Sequence, residues 1–197
     1  ADGGFVPPGM AGHSAGIGLP YDPERARELL ADAGYRDGHG FPTVEALAFR
    51  AVQPRTGFLT PQWAEVLGVE VAWTVLPWAE FLREFATGTY HMVLLMWTAD
   101  YPDPDNFLRV CREKAWGRWR NETFEKLVGE ARQVMDPEER MRRYREAQCL
   151  LTQDVPILPL TYERDHLLVK PWVSRYPTSV MQAAFWKEAV VARPRDG

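Results

Sequence analysis

The chain has 197 residues, of which 46% are hydrophobic and 25% charged, and its formal net charge is -4. This composition is typical of a globular chain that buries one sizeable core or two small ones. A slightly acidic chain without a basic block argues against nucleic-acid binding, which needs cations to displace phosphate counterions. The longest apolar run, residues 92–97, is far below the roughly 20 residues that cross a bilayer.

The first half of the chain alternates predicted helices and strands. Residues 1–20 contain six Gly and three Pro, which predicts an extended loop. Asp22 and Pro23 then predict the start of a helix, and Gly34 its end. The next predicted elements are a strand over 44–50, a helix from Thr60 or Pro61 to Leu67, a half-buried strand over 69–75 and a helix over 78–86.

The second half continues this alternation. Residues 90–97 are predicted to form a continuous apolar strand that is central in the sheet and covered on both faces. Three helices should then begin after Asp103, Asn121 and Asp136, whose side chains can cap a helix N-terminus. Residues 157–162 and 166–169 are predicted to be strands. Strands that alternate with helices predict an α/β lobe with a largely covered sheet.

The segment from Met96 to Pro104 follows a predicted buried strand, and in open α/β sheets ligands bind at the carboxyl ends of strands. Trp97 would stand at the strand end, with Asp100 and Tyr101 in the loop beyond it. A carboxylate beside aromatic surface suits an amine, which it attracts by about 4 kcal/mol at roughly 4 Å before desolvation is subtracted. The alternative, which composition alone favours, is that Asp100 caps a turn and Trp97 fills the core.

Asp100, Asp103 and Asp105 also resemble the ligands of a hard cation. Pro102 and Pro104 interrupt this loop, however, and the glycine and distal glutamate of an EF-hand are missing. Helix capping is therefore the favoured interpretation, and no metal site is predicted.

No nucleophile motif and no phosphate-binding glycine loop is present, so neither a catalytic residue nor a cofactor is predicted. Cys111 and Cys149 both lie on predicted helices. They are either buried thiols or, in an oxidising compartment, a disulfide, and the sequence leaves both possibilities open.

Six stretches, taken in order and spacing, resemble the C-terminal part of the peptide/nickel-type solute-binding proteins (family 5) that feed ABC importers. The stretches are residues 21–35, 68–71, Trp78 with Phe81, 97–104, 154–160 and 169–173. This resemblance covers nearly the whole chain.

The resemblance implies an α/β fold of the type II periplasmic-binding-protein kind, with a mixed sheet that carries helices on its faces. Such proteins have two lobes that close on a ligand about a hinge. Asp100 matches the aspartate that binds the free α-amino group of a peptide ligand, and Trp97 matches a tryptophan near the ligand chain. Their neighbours Ala99 and Tyr101 complete the predicted ligand-binding set. Leu94 stands where some oligopeptide binders have an arginine.

The chain is less than half as long as usual members of this family. The resemblance therefore implies that residues 1–165 are the C-terminal ligand-binding lobe, incomplete at its start and lacking the N-terminal lobe. Residues 166–197 would be a tail that returns to that missing lobe. Trp172 and Trp186 are then expected to be exposed, or covered by a neighbouring copy of the chain.

The leading hypothesis is a binding module and not an enzyme: the substrate-binding component of an ABC importer. It would capture peptides or a similar small solute between lobes and deliver them to membrane permease subunits. The resemblance implies a periplasmic or other extracytoplasmic location, with a lipid anchor as an option in the complete protein. The family also includes members that bind metal chelates, haem, opines and sugars.

Two other hypotheses remain at this point. One is a metal-assisted hydrolase that uses Asp100, Asp103 and Asp105. The other is an interaction domain that uses exposed tryptophans, of which the chain has 8 in total.

Overall fold

The computed structural model describes residues 1–112, 119–164, 166–176 and 186–192. The chain divides into two compact units: a helical unit, Ala1–Leu19 with Thr98–Gly197, and a sheet unit, Pro20–Trp97. No helix among the described residues combines the length and the apolar character needed to cross a membrane.

The sheet unit contains three helices and three strands. They are α1 (Pro23–Asp32), β1 (Val44–Phe49), α2 (Gln53–Leu67), β2 (Val71–Leu76), α3 (Trp78–Thr87) and β3 (Met92–Leu94). The helical unit contains the remaining elements. They are α4 (Pro104–Val110), α5 (Glu122–Ala131), α6 (Pro137–Asp154), β4 (Val173–Arg175) and β5 (Val190–Val191), which pairs antiparallel with β4.

The sheet has the order β2-β1-β3, and both pairings are parallel. The central strand β1 is the most buried part of the sheet, since Ala46, Leu47 and Ala48 are nearly inaccessible. Because β2 and β3 lie on opposite sides of β1, the connections diverge at the carboxyl ends of β1 and β3. Such a divergence is where open α/β sheets form a ligand crevice.

Helix α3 packs aromatic rings against the end of β1. Phe81 is 1% exposed and stacks between Trp78 and Phe85, with ring centroids 5.5 and 5.7 Å away. Phe49, the last residue of β1, contacts both Trp78 and Phe81. These rings bury the apolar side of α3 against the end of β1.

The helical unit packs α4, α5 and α6 around Phe124, Val128, Tyr144 and Leu151, which are all buried. Residues 1–19 are irregular, as predicted, but they are held firmly in place. Gln148 of α6 is 0% exposed, and its side chain hydrogen-bonds the backbone of this segment.

Four predicted helix starts are confirmed. Asp22, Asp103, Asn121 and Asp136 each accept a hydrogen bond from a backbone N–H in the first turn of their helix. At the other ends, three glycines with positive φ follow helices. They are Gly34, Gly68 and Gly88. At Gly68 a Cβ atom would also lie 2.4 Å from the carbonyl oxygen of Asp37.

Two predictions for the sheet unit are wrong. The strand predicted over 90–97 is limited to Met92–Leu94 and lies at an edge of the sheet, while β1 is central. The helix predicted from Thr60 or Pro61 begins at Gln53 and contains Pro61 in its interior. The proline at the start of this helix is Pro54 and not Pro61. Proline is tolerated in the first turn because a backbone N–H there has no helical partner.

The strands predicted over 157–162 and 166–169 are also wrong, since neither segment pairs with another strand. Pro156 and Pro159 lack the N–H that a ladder requires. This part of the chain instead contacts the start of the chain, where the Tyr162 hydroxyl donates to the Gly4 carbonyl at 2.6 Å. Trp172 is 44% exposed, as expected, and the side chain of Trp186 lies outside the described part of the chain.

Candidate functional site

Asp100 is exposed in the segment that joins β3 to α4. Its backbone N–H donates to Oδ1 of Asn106 at 3.3 Å, and its Oδ2 accepts from Nδ2 of Asn106 at 3.2 Å. Asn106 lies in the first turn of α4 and is 0% exposed. The two hydrogen bonds therefore tie an exposed carboxylate to a buried amide.

Tyr101 is at the border between half-buried and exposed, and its hydroxyl donates to Oδ2 of Asp105 at 2.9 Å. Asp105 is buried, and its Oδ1 lies 3.6 Å from Nε of Arg132. Burial and the hydrogen bond to Asp105 raise the pKa of Tyr101 above its usual value. The hydroxyl thus stays protonated at neutral pH and remains a donor.

Asp103 fixes the start of α4 to the rest of the helical unit. It caps α4, and its two carboxylate oxygens accept hydrogen bonds from the Arg140 guanidinium at 2.8 and 2.9 Å. Paired hydrogen bonds of this kind are the strongest geometry for arginine and carboxylate. They raise the pKa of Arg140, whose guanidinium also lies 5.1 Å from the centre of the Tyr144 ring.

The three aspartates of the proposed cation site thus have separate partners. Asp100 bonds Asn106, Asp103 pairs with Arg140, and Asp105 bonds Tyr101. Among the described residues, no group of three or more His, Cys, Asp or Glu side chains is arranged to hold a metal ion. Nothing in this geometry supports the metal-assisted hydrolase.

Trp97 and Ala99 are both half-buried. Trp97 is the last residue of the sheet unit and follows the carboxyl end of β3, where Leu94 pairs with Ala48 of β1. Leu94 itself is 8% exposed, so an apolar core residue occupies the position that is arginine in some oligopeptide binders.

Two concavities in the described part of the chain contain none of the predicted site residues. One lies in the helical unit beside Ala1, Leu19 and Leu158. The other lies in the sheet unit beside Glu45, Glu84 and Tyr90. Asp100 lines neither of them.

Both cysteines are free in the structure. Cys111 is buried and its thiol donates to the Phe107 carbonyl at 3.6 Å. Burial raises the pKa of this thiol to about 12, which leaves it unreactive at neutral pH.

Sequence reasoning missed Asn106 and Arg140. The Asp103-Pro104 signal already predicted the start of α4, so Asn106 could have been assigned to its first turn. That its amide faces Asp100 depends on how the preceding loop folds back. The pairing of Arg140 with Asp103, 37 residues away, left no local signal in the sequence.

A family model described as "Bacterial extracellular solute-binding proteins, family 5 Middle" matches residues 1–118 of the chain. The chain is 34% identical over 178 residues to Di/tripeptide-binding protein 4 of Pseudomonas aeruginosa, a match that covers 82% of this chain and 32% of the relative. The chain thus spans about a third of the length of this curated relative.

Two solved structures have a similar fold. The murein tripeptide binding protein MppA of Escherichia coli matches 95% of this chain and 39% of its own, with a TM-score of 0.79 and 23% identity. DppA of Helicobacter pylori, solved in complex with the peptide STSA, matches 80% of this chain and 32% of its own, with a TM-score of 0.68 and 26% identity. The predicted type II periplasmic-binding-protein fold class is thereby confirmed, and the chain belongs to the bacterial extracellular solute-binding proteins of family 5.

Proposed function

We propose that this chain is the ligand-binding lobe of a longer receptor that captures peptides, or similar small solutes with a free amino group. The single observation that carries this proposal is the Asp100 carboxylate, which is exposed and is held at one oxygen by Asn106. The receptor would deliver its ligand to the permease of an ABC importer and would perform no chemistry.

The names of the relatives support a peptide ligand. The Pseudomonas aeruginosa relative is named for dipeptides and tripeptides, and the Helicobacter pylori structure contains a bound peptide. Because this chain spans about a third of that relative's length, the complete activity belongs to a longer protein. Such a receptor would work in the periplasm or elsewhere outside the cytoplasm, and a lipid anchor is compatible with that location.

The chemistry of Asp100 supports recognition of an ammonium group. A carboxylate and an ammonium attract each other by about 4 kcal/mol at roughly 4 Å in partly buried surroundings, before desolvation is subtracted. Exposed pairs gain much less. A second lobe that closes over Asp100 would exclude water and retain more of this attraction. Trp97, Ala99 and Tyr101 are the neighbours that we propose to line the ligand chain.

Asp100→Asn in the complete protein is expected to weaken binding of the dipeptide alanylalanine about 30-fold, which is about 2 kcal/mol. The amide retains the size of the side chain but removes the charge that attracts the ammonium group. Isothermal titration calorimetry of the wild type and the variant measures this difference.

N-acetyl-alanylalanine is the matched control, because acetylation removes the ammonium group. Its binding should be weak to the wild type and change less than twofold in Asp100→Asn. Equal affinity of both proteins for alanylalanine would remove Asp100 from the site. Turnover of the peptide, or activation by Zn²⁺ or Mg²⁺, would favour a hydrolase instead.

We further propose that residues 1–165 belong to the binding lobe and that residues 166–197 return to another lobe of the complete protein. The support is a run of apolar side chains that are exposed in the described part of the chain. Leu167, Leu168, Val169 and Trp172 are 55%, 102%, 46% and 44% exposed. Contiguous exposed apolar surface of this kind marks an interface.

In the complete protein, a thiol introduced as Leu168→Cys is therefore expected to react at least tenfold more slowly with a maleimide than Met135→Cys. Both positions are almost fully exposed in this chain, with Met135 at 93%, so a difference would come from cover by the rest of the protein. Labelling rates followed by mass spectrometry measure the effect. Equal rates at the two positions would contradict the proposed path of the tail.

A further inference from the structure

The first turn of α4 contains a polar residue that the helix itself does not require. Asp103 already caps α4 by accepting a hydrogen bond from the Asp105 N–H at 2.9 Å. Asn106 nevertheless buries a polar amide completely. Burying an amide is unfavourable unless its hydrogen bonds are made. An apolar side chain would serve as well if packing were the sole requirement at this position.

The oxygen and the nitrogen of the Asn106 amide both bond Asp100. Oδ1 accepts the backbone N–H of Asp100, and Nδ2 donates to its Oδ2. The first contact fixes the backbone of the loop, and the second fixes the rotation of the carboxylate. Asn106 thereby controls both the position and the orientation of one exposed side chain.

The residue that holds Asp100 is itself well anchored. Phe107 and Leu108, the next two residues of α4, are 5% and 0% exposed. The paired hydrogen bonds between Arg140 and Asp103 join the start of α4 to α6. Asn106 therefore sits on a helical turn that cannot shift without disturbing the core of the helical unit.

The remaining oxygen of Asp100 is available to a ligand. Within the described ranges, no residue donates a hydrogen bond to Asp100 Oδ1, and the side chain is exposed. A carboxylate that is oriented before the ligand arrives loses less conformational entropy on binding than a freely rotating one.

We propose that Asn106 is the positioning residue for Asp100, and that it orients the carboxylate so that Oδ1 accepts the ammonium group of the ligand. This inference rests on the proposed function and deepens it. Asn106 does not touch the ligand in this scheme. Its side chain also hydrogen-bonds Tyr101, so the positioning effect is the part of its contribution to affinity that disappears when Asp100 is removed.

A double-mutant cycle in the complete protein tests this dependence, with alanylalanine as the probe and calorimetry as the measurement. Asn106→Ala is expected to weaken binding about tenfold when Asp100 is present. In the Asp100→Ala background the same substitution should change affinity less than twofold, because no carboxylate remains to be oriented. Asn106→Asp is the second variant, since it retains the size and shape of the side chain but cannot donate to Asp100.

Asn121 offers a matched control. Its Oδ1 also accepts a backbone N–H, that of Phe124, at 3.0 Å, and its Nδ2 also donates to a carboxylate, that of Asp154, at 3.1 Å. Asn121→Ala should lower stability without changing affinity for alanylalanine in either background.

Each other outcome of the cycle has a separate meaning. If Asp100→Ala weakens binding but neither Asn106 variant does, the positioning role is wrong and the proposed function stands. If Asn106→Ala weakens binding equally in both backgrounds, its role is structural and the inference is overturned. If Asp100→Ala has no effect on affinity, the proposed role of Asp100 fails, and this inference fails with it.

Discussion

Replacing Phe81 with alanine is expected to lower the free energy of unfolding by about 4 kcal/mol. Phe81 is 1% exposed, and its ring contacts Phe49, Trp78 and Phe85. Truncation removes the buried ring and leaves a cavity between α3 and β1.

Urea denaturation followed by tryptophan fluorescence measures this loss, and Trp78 provides a reporter beside the mutated position. Leu82→Ala is the matched control on the same helix, because Leu82 is 45% exposed. Its substitution should cost less than about 1 kcal/mol. Losses of similar size for the two variants would mean that the stack on α3 does not stabilise the sheet unit.

The second large effect is expected from Gln148→Leu, which should destabilise the helical unit by about 3 kcal/mol. Gln148 Oε1 accepts the Val6 N–H at 3.3 Å, and its Nε2 donates to the Gly12 carbonyl at 2.8 Å and to the Ser14 hydroxyl at 3.3 Å. Leucine has a similar volume but satisfies none of these polar groups. Val6 and Ser14 are themselves buried, so water cannot readily replace the amide.

Hydrogen exchange locates this effect, since protection should fall first in residues 1–19. A urea titration gives the overall change in the free energy of unfolding. Gln153→Leu, an exposed glutamine on the same helix, provides the comparison and should change stability by less than about 0.5 kcal/mol. Unchanged protection of residues 1–19 in Gln148→Leu would show that other contacts hold this segment.

Helix termini were predictable because their chemistry is local. Asp22, Asn121 and Asp136 satisfy backbone N–H groups that lie three residues further along the chain. No contact from elsewhere in the fold is needed for these bonds. The exception is the start of α2, which has no side-chain cap. Proline is typical of the first turn of a helix, and of the two prolines in α2 it is the earlier one, Pro54, that lies there.

The order of the strands in the sheet could not be predicted from such local hydrogen bonds. Residues 90–97 have the apolar content of a central strand, but β3 is short and lies beside β1 at an edge. The apolar content of a segment reports how much of it is buried, and helices or other segments can provide that burial as well as flanking strands can. The segment 157–162 was also misassigned, since it hydrogen-bonds residues at the start of the chain and not a neighbouring strand.

The candidate site contains both features that could be predicted locally and contacts that could not. The loop that contains Trp97, Asp100 and Tyr101 was identified from its position between a strand and a helix start, and its role in ligand binding stays a prediction. The contacts that hold this loop were not identified. Asn106 is close in sequence, but the direction of its amide depends on the path of the loop.

The sequence by itself therefore determined most helix termini, the α/β class, the family and the loop whose carboxylate, Asp100, is expected to bind a ligand. These features depend on hydrogen bonds within a turn or on the order of short stretches along the chain. Tertiary structure alone decided that β1 is central, that Arg140 clamps Asp103, and that Gln148 holds a segment 136 residues away. Such contacts depend on which distant groups meet when the chain becomes compact, because a buried polar group bonds whatever partner the surrounding packing brings within reach.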